Sequence, residues 1–253
     1  MRVIVTRPAA QAAEWVARLQ ARGVDATALP LMAIAPAADA APINAAWAHL
    51  PERELLVFVS PNAVDRFFAH RPAEAAWPAA SWAGSPGPGT THVLRGHGVP
   101  PERIIEPAAD APQFDSESLW ARLQTHDWSG ADVLIVRGEG GGRDWLAAIL
   151  REHGATVAHL AAYRRAAPAF EAAERELLAA AQRAPAAHLW LFSSSEAIDN
   201  LAQALPGVRW TGGWAVATHP RIAERARSLG FSNVLEARPA LDAVVACIQS
   251  ART

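Results

Sequence analysis

The sequence predicts an α/β protein of two domains, each a five-stranded parallel sheet covered by helices on both faces. Three observations point there. Short continuous apolar runs alternate with stretches of helical spacing, the pattern of parallel strands buried on both sides. The alternation yields about ten strands, more than one compact sheet usually holds. A strand, helix and strand unit also occurs twice at a fixed offset, which marks an internal repeat.

The first unit covers residues 2 to 34. Val3-Ile4-Val5 is a short buried strand, Trp15, Val16 and Leu19 recur at helical spacing, Gly23 closes the helix, and Val24 to Leu31 is apolar again. Leu55-Leu56-Val57-Phe58-Val59 then runs through Ser60 into a helix opened by Pro61. Further strands are expected near Ser81 to Ser85 and Arg103 to Glu106, with helices between them. The first unit returns at 132 to 165, where Val133-Leu134-Ile135-Val136 precedes Trp145, Leu146, Ile149 and Leu150, then Gly154, then Ala155 to Tyr163. A shift of 131 positions lays Val3, Ile4, Val5, Leu19, Gly23 and Leu29 on Leu134, Ile135, Val136, Leu150, Gly154 and Leu160 without a gap. Leu189-Trp190-Leu191-Phe192-Ser193-Ser194-Ser195 answers the stretch at 55 to 61, and strands near Gly213 to Ala217 and Asn233 to Leu235 follow. The order of units permits a simple cut near residue 128. It equally permits an interleaved arrangement in which residues 1 to 33 join the carboxyl-terminal part, and two extended crossings would then pair.

Composition narrows the function. With 253 residues, 51% hydrophobic content and a formal net charge of −2, the chain can bury a large core and carries no tail for nucleic acid. All 23 cationic residues are arginine, which removes Schiff-base lysine chemistry and the phosphate-loop lysine together. One cysteine, Cys247, supports neither a disulfide nor a thiolate metal cage, and a reducing compartment, the cytoplasm, is expected. No apolar run reaches the roughly 18 residues of a membrane span, and the first residues lack a signal-peptide core. The nine histidines show no metal spacing, and His49, His70, His97, His126 and His153 fall near helix ends as dipole partners. The tryptophans, including Trp15, Trp145, Trp190 and Trp214, fall at expected core positions.

Open parallel sheets bind ligands outside the carboxyl ends of their strands, where helix amino termini present free N–H groups. Thr6, Arg7, Ser60, the loop from Gly84 to Thr91, Arg137, Gly138, Ser193 to Ser195 and Thr218 fall there. Hydroxyls and amides at such ends suit a polyanion, although singly each also serves as a helix N-cap. Arg137-Gly-Glu-Gly-Gly-Gly-Arg143 is glycine-rich but lacks the lysine and the register of a nucleotide loop. Tyr163 is the sole tyrosine, a packing residue by composition, yet placed where a phenol could face a cleft between domains.

With these residues assembled, the chain resembles the uroporphyrinogen-III synthase family. The resemblance rests on Val5-Thr-Arg-Pro8, Phe58 to Val64, Phe114-Asp-Ser-Glu-Ser-Leu119, Val136-Arg-Gly-Glu-Gly140, Tyr163-Arg164 and Phe192-Ser-Ser-Ser-Glu196, in order along nearly the whole length. It implies two flavodoxin-like domains, doubly wound parallel sheets, joined by a two-stranded antiparallel linker. Residues 1–34 with 168–253 would form one domain and 37–160 the other, with linker segments near 31–36 and 161–167. It further implies a lyase that cyclises hydroxymethylbilane, a linear tetrapyrrole, with inversion of ring D and loss of water, and without any metal or organic cofactor. Tyr163 matches the family's key tyrosine and is the expected catalytic residue. Ser60 and Ser194 match cleft serines, Thr90 a threonine opening a helix, and Thr218 a hydroxyl on the other rim. Arg7, Arg137 and Gly138 complete the expected substrate-binding set, the arginines as bidentate carboxylate partners. The family loop before the helix reads differently from Gly84-Ser-Pro-Gly-Pro-Gly-Thr-Thr91, so either Thr90 or Thr91 could face the substrate. The implied partner is the small-molecule substrate, with no nucleic acid and no membrane. A monomer is expected, and transient contact with the preceding pathway enzyme is open. The competing expectation is a non-catalytic binding module for an anionic small molecule, against which the missing export signal counts.

Overall fold

The computed structural model describes residues 1–141 and 144–251. In chain order the elements are β1 (Arg2–Val5), α1 (Ala9–Gln20), β2 (Ala26–Ala28), β3 (Ala33–Pro36), α2 (Ala41–Ala48), β4 (Leu55–Phe58) and α3 (Pro61–Phe68). Then come β5 (Trp82–Gly84), α4 (Pro88–Gly96), β6 (Ile104–Ile105), α5 (Ser116–Leu123), β7 (Asp132–Gly138), α6 (Trp145–Glu152) and β8 (Thr156–Ala166). The chain closes with α7 (Ala172–Arg183), β9 (His188–Phe192), α8 (Ser195–Ala204), β10 (Trp214–Ala217), α9 (Pro220–Ser228), β11 (Asn233–Glu236) and α10 (Leu241–Ser250). No helix among the described residues is long and apolar enough to cross a membrane.

These elements form two compact units. The first joins Met1–Ala33 to the chain from Ala166 onward, and the second is Ile34–Arg165. The first unit's sheet runs in the order β11, β10, β9, β1, β2, every neighbouring pair parallel. Counted along the chain within that unit, this is the doubly wound order 2-1-3-4-5. The second unit's sheet runs β3, β8, β7, β4, β5, β6, with β8 through β6 parallel. It is the same order if β7 and β8 are counted first. The repeated unit therefore holds equivalent places in both sheets, but in the second unit it follows the other strands in the chain. The α/β class with parallel sheets is as the sequence predicts. One detail differs from a free-standing linker: β8 is a single strand from Thr156 to Ala166, and β3 lies beside it at the sheet's edge.

Each central strand feeds two cores because successive side chains point to opposite faces. In the second unit Leu55, Val57, Val133 and Ile135 pack with Trp120, Trp128 and Leu150, while Leu56, Phe58, Leu134 and Val136 pack with Trp47, Phe67 and Trp77. In the first unit Val3, Val5, Leu189 and Leu191 face Trp15 and Val244, and Ile4, Trp190 and Phe192 face Trp210 and Phe231. The glycines that end the repeated helices, Gly23 and Gly154, have φ of 73° and 87°, a left-handed turn that a side chain would strain. Trp145 departs from expectation. It opens α6 and is 38% exposed, because the buried face of that helix is set by Leu146, Ala147 and Leu150 instead.

Candidate active site

In the second unit the strand order reverses between β4 and β7. The carboxyl ends of such a pair form the crevice where open α/β sheets bind ligands. Three residues expected in the site meet there. Ser60 follows β4 in an extended conformation, so it continues the face of Leu56 and Phe58. Its Oγ accepts the Ala63 N–H at 3.3 Å and caps α3. The same oxygen lies 3.2 Å from the Tyr163 hydroxyl, and either can donate. Gly138 ends β7, and the Tyr163 ring lies directly over it.

A break in strand register brings the tyrosine to that face. β8 pairs with β7 as Val136 with Leu160 and Arg137 with Ala161, but Gly138 then pairs with Tyr163 rather than Ala162. The extra residue makes a bulge, and Ala162 and Tyr163 both pack into the core around Phe58. Without it, alternation would send Tyr163 to the opposite face. Tyr163 is 2% exposed, and the Arg165 guanidinium lies 5.9 Å from its ring centroid.

Thr90 and Thr91 open α4 after β5. Both are buried, but they are used differently. Thr91 Oγ1 lies 2.9 Å from Ser85 Oγ and donates to Glu106 at 2.6 Å, while Arg95 reaches the same carboxylate at 3.2 Å. Thr91 is thus a structural tie between β5, α4 and the end of β6. Thr90 has no such tie among the described residues.

Arg137, at the end of β7, already grips a carboxylate of the chain. Its Nη1 donates to Asp144 at 2.7 Å, and His159 Nε2 lies 3.4 Å from the same oxygen. The guanidinium holds the Asp144 carboxyl below the usual carboxylate range, chiefly through that hydrogen bond. Burial, and then the Arg137 charge, lower the His159 imidazole. Arg143, the other end of the glycine-rich stretch, lies outside the described residues. The sequence offered no sign of Asp144 or His159 as partners: the pairing of β7 with β8 brings His159 beside Arg137, and Asp144 reaches it from the residue preceding α6.

In the first unit the reversal falls between β1 and β9, and the expected residues again stand at the strand ends. Thr6 is buried with its hydroxyl donated to the Leu191 carbonyl at 2.8 Å. Arg7 lies with its guanidinium carbon 4.5 Å from the Trp15 ring centroid, a cation–π contact, and its Nε is buried with no hydrogen-bond partner. Burial pushes its pKa down to about 10. Ser194 caps α8, its Oγ accepting the Glu196 N–H at 3.2 Å. Thr218 is buried at the end of β10, and the cap of α9 falls to His219, whose Nδ1 accepts the Arg221 N–H at 3.1 Å. Arg7 and Ser194 thus stand at the ends of strands adjacent in one sheet. Among the described residues no three His, Cys, Asp or Glu side chains come together as a metal site.

Two doubly wound parallel sheets, each with arginines and hydroxyls at the carboxyl ends of its strands, define the class: an α/β protein of the doubly wound, ligand-binding kind. Known proteins narrow it. The family model described as uroporphyrinogen-III synthase HemD matches residues 13–246. The uroporphyrinogen-III synthase of Synechococcus elongatus is 29% identical over 220 residues, 83% of this chain and 77% of that protein. That of Escherichia coli is 27% identical over 243 residues, 92% of this chain and 94% of its own length. Among solved structures, a mutant uroporphyrinogen III synthase from Thermus thermophilus aligns with a TM-score of 0.59 at 15% identity, over 100% of this chain and 98% of that one. The Helicobacter pylori uroporphyrinogen-III synthetase aligns at 0.55 and 18% identity, covering 99% of each. These two share the fold. The chain belongs to the uroporphyrinogen-III synthase family.

Proposed function

We propose that this protein closes hydroxymethylbilane to uroporphyrinogen III, inverting ring D and releasing one water. The supporting observation is the sole tyrosine, held at the reversal point of a parallel sheet with its hydroxyl on Ser60. Loss of hydroxide from the substrate's hydroxymethyl carbon requires a proton, and the Tyr163 O–H supplies it so that the group leaves as water. The carbon left behind is electrophilic. Attack by the substituted carbon of ring D gives a spiro intermediate. The bond from that carbon to its original methylene bridge then breaks, and the freed methylene bonds to the unsubstituted carbon of ring D, which inverts the ring. The proton released when the last pyrrole regains aromaticity returns to the phenolate, so the enzyme ends unchanged.

The remaining task is positioning a flexible chain rich in carboxylates. Arg7, with an unsatisfied Nε, is assigned to one carboxylate. Arg137 takes another in exchange for Asp144, and Ser60, Thr90, Gly138, Ser194 and Thr218 contribute hydroxyl or amide contacts. Incubation with freshly made hydroxymethylbilane should yield the type III isomer. Recovery of only the type I isomer, which the substrate forms unaided, would overturn the proposal.

A further inference from the structure

We infer that Gly138 is a positioning residue for the Tyr163 phenol, its missing side chain being what lets the hydroxyl reach Ser60. The inference rests on the catalytic role proposed above for Tyr163. A Cβ at position 138 would lie 2.9 Å from Cε2, 3.0 Å from Cζ and 3.3 Å from the hydroxyl oxygen of Tyr163. Nonbonded carbons rest about 3.5–4.0 Å apart, so the hydroxyl end of the ring would have to retreat by roughly 0.5–1 Å. At 3.2 Å the bond to Ser60 already exceeds the usual hydroxyl range of about 2.5–3.0 Å, and that retreat breaks it.

The backbone gives the ring little freedom to accommodate. Tyr163 pairs with Gly138 across the bulge, and its carbonyl accepts the Glu139 N–H at 2.7 Å. The ring is buried in the core cluster that contains Phe58. Backbone conformation does not explain the glycine, because Gly138 is not among the residues with positive φ. What the position requires is empty space on the face shared with Ser60. The bulge supplies the tyrosine to that face, and the glycine supplies the room.

The sole tyrosine makes the test direct. Protein carrying carbon-13 at the tyrosine ζ position gives one signal, which reports on Tyr163 alone. In Gly138→Ala that signal should move, kcat for the type III isomer should fall on the order of 100-fold as expected for a misplaced group, and KM should stay within about twofold. The loss should vanish in a Tyr163→Phe background, because a residue acting only through the hydroxyl has nothing left to act on. An unmoved signal, or losses that multiply in the double variant, would overturn the inference. Should Gly138→Ala not fold, Gly138→Ala with Tyr163→Ala restores the room and should fold again, and failure to recover would equally overturn it. Full activity in Tyr163→Phe alone would remove the tyrosine from the chemistry, while the shift of the signal would still judge whether Gly138 seats the ring.

Discussion

The hydroxyls of Tyr163 and Ser60 are 3.2 Å apart although 103 residues separate them in the chain. Two features bring them together: the parallel pairing of β4, β7 and β8, and the bulge that turns Tyr163 onto the Ser60 face. A phenol so placed is buried yet fixed, which suits a proton donor. Tyr163→Phe keeps the ring and its packing and removes only the donor. It should lower type III formation on the order of 100-fold or more, since general acid help contributes about 100 to 10,000-fold. Stability should change by only about 1 kcal/mol, read from a urea melt. Wild-type rates in this variant would refute the assignment.

Thr90 and Thr91 should separate cleanly. Thr91→Val breaks the tie to Glu106 and leaves that carboxylate to Arg95 alone, so it should cost about 1 kcal/mol of stability with turnover of the folded fraction nearly unchanged. Thr90→Val breaks no such tie. It should fold normally and lose type III formation. The opposite pattern would move the substrate contact to Thr91.

Arg7 is a cation whose Nε is buried and unbonded. Replacing a buried, poorly satisfied charge by an apolar residue of similar shape is commonly neutral or stabilising. Arg7→Met, still stacked on Trp15, should therefore keep or raise the melting temperature. Without a charged partner for a substrate carboxylate, KM should rise about 10 to 100-fold. Unchanged KM would show that Arg7 serves packing only.

The His159 imidazole sits below its ordinary value of 6.5, mainly through burial and then through the Arg137 charge, with Asp144 opposing. Between its lowered pKa and 6.5 the unfolded chain binds more protons at this residue than the folded one. Acidification through 6.5 should therefore destabilise the protein, and the loss is complete once pH passes below the folded value. His159→Gln should flatten that part of the profile in denaturant midpoints measured on both sides of 6.5. A variant with the wild-type slope would assign the pH dependence to other groups.

Which segments form strands was legible because that depends on local regularities. Val3 to Val5, Leu55 to Phe58, Val133 to Val136 and Leu189 to Phe192 are apolar at every position, which only a strand covered on both faces tolerates. The repeat placed Gly23 and Gly154 at matching helix ends, and both have the left-handed φ that such an end requires. The site was legible in part. Ser60 and Gly138 were expected on a rim of strand ends and Tyr163 where a phenol could face a cleft between domains, and not as a contacting group.

What the amino-acid sequence determined by itself is which segments are strands, which residues stand at their carboxyl ends, and that no lysine can take part in the chemistry. These follow from period, composition and turn residues, all properties of neighbours in the chain. Only the tertiary structure decided that Tyr163 faces Ser60, that Thr91 is spent on Glu106 while Thr90 is not, that Arg137 is paired with Asp144, and that Trp145 lies outside the core. Each of those depends on strand register, helix rotation or where a helix end is seated. A shift of one residue in a strand reverses the face of every side chain beyond it, so a single bulge at Ala162 moves the sole tyrosine from one side of the sheet to the other.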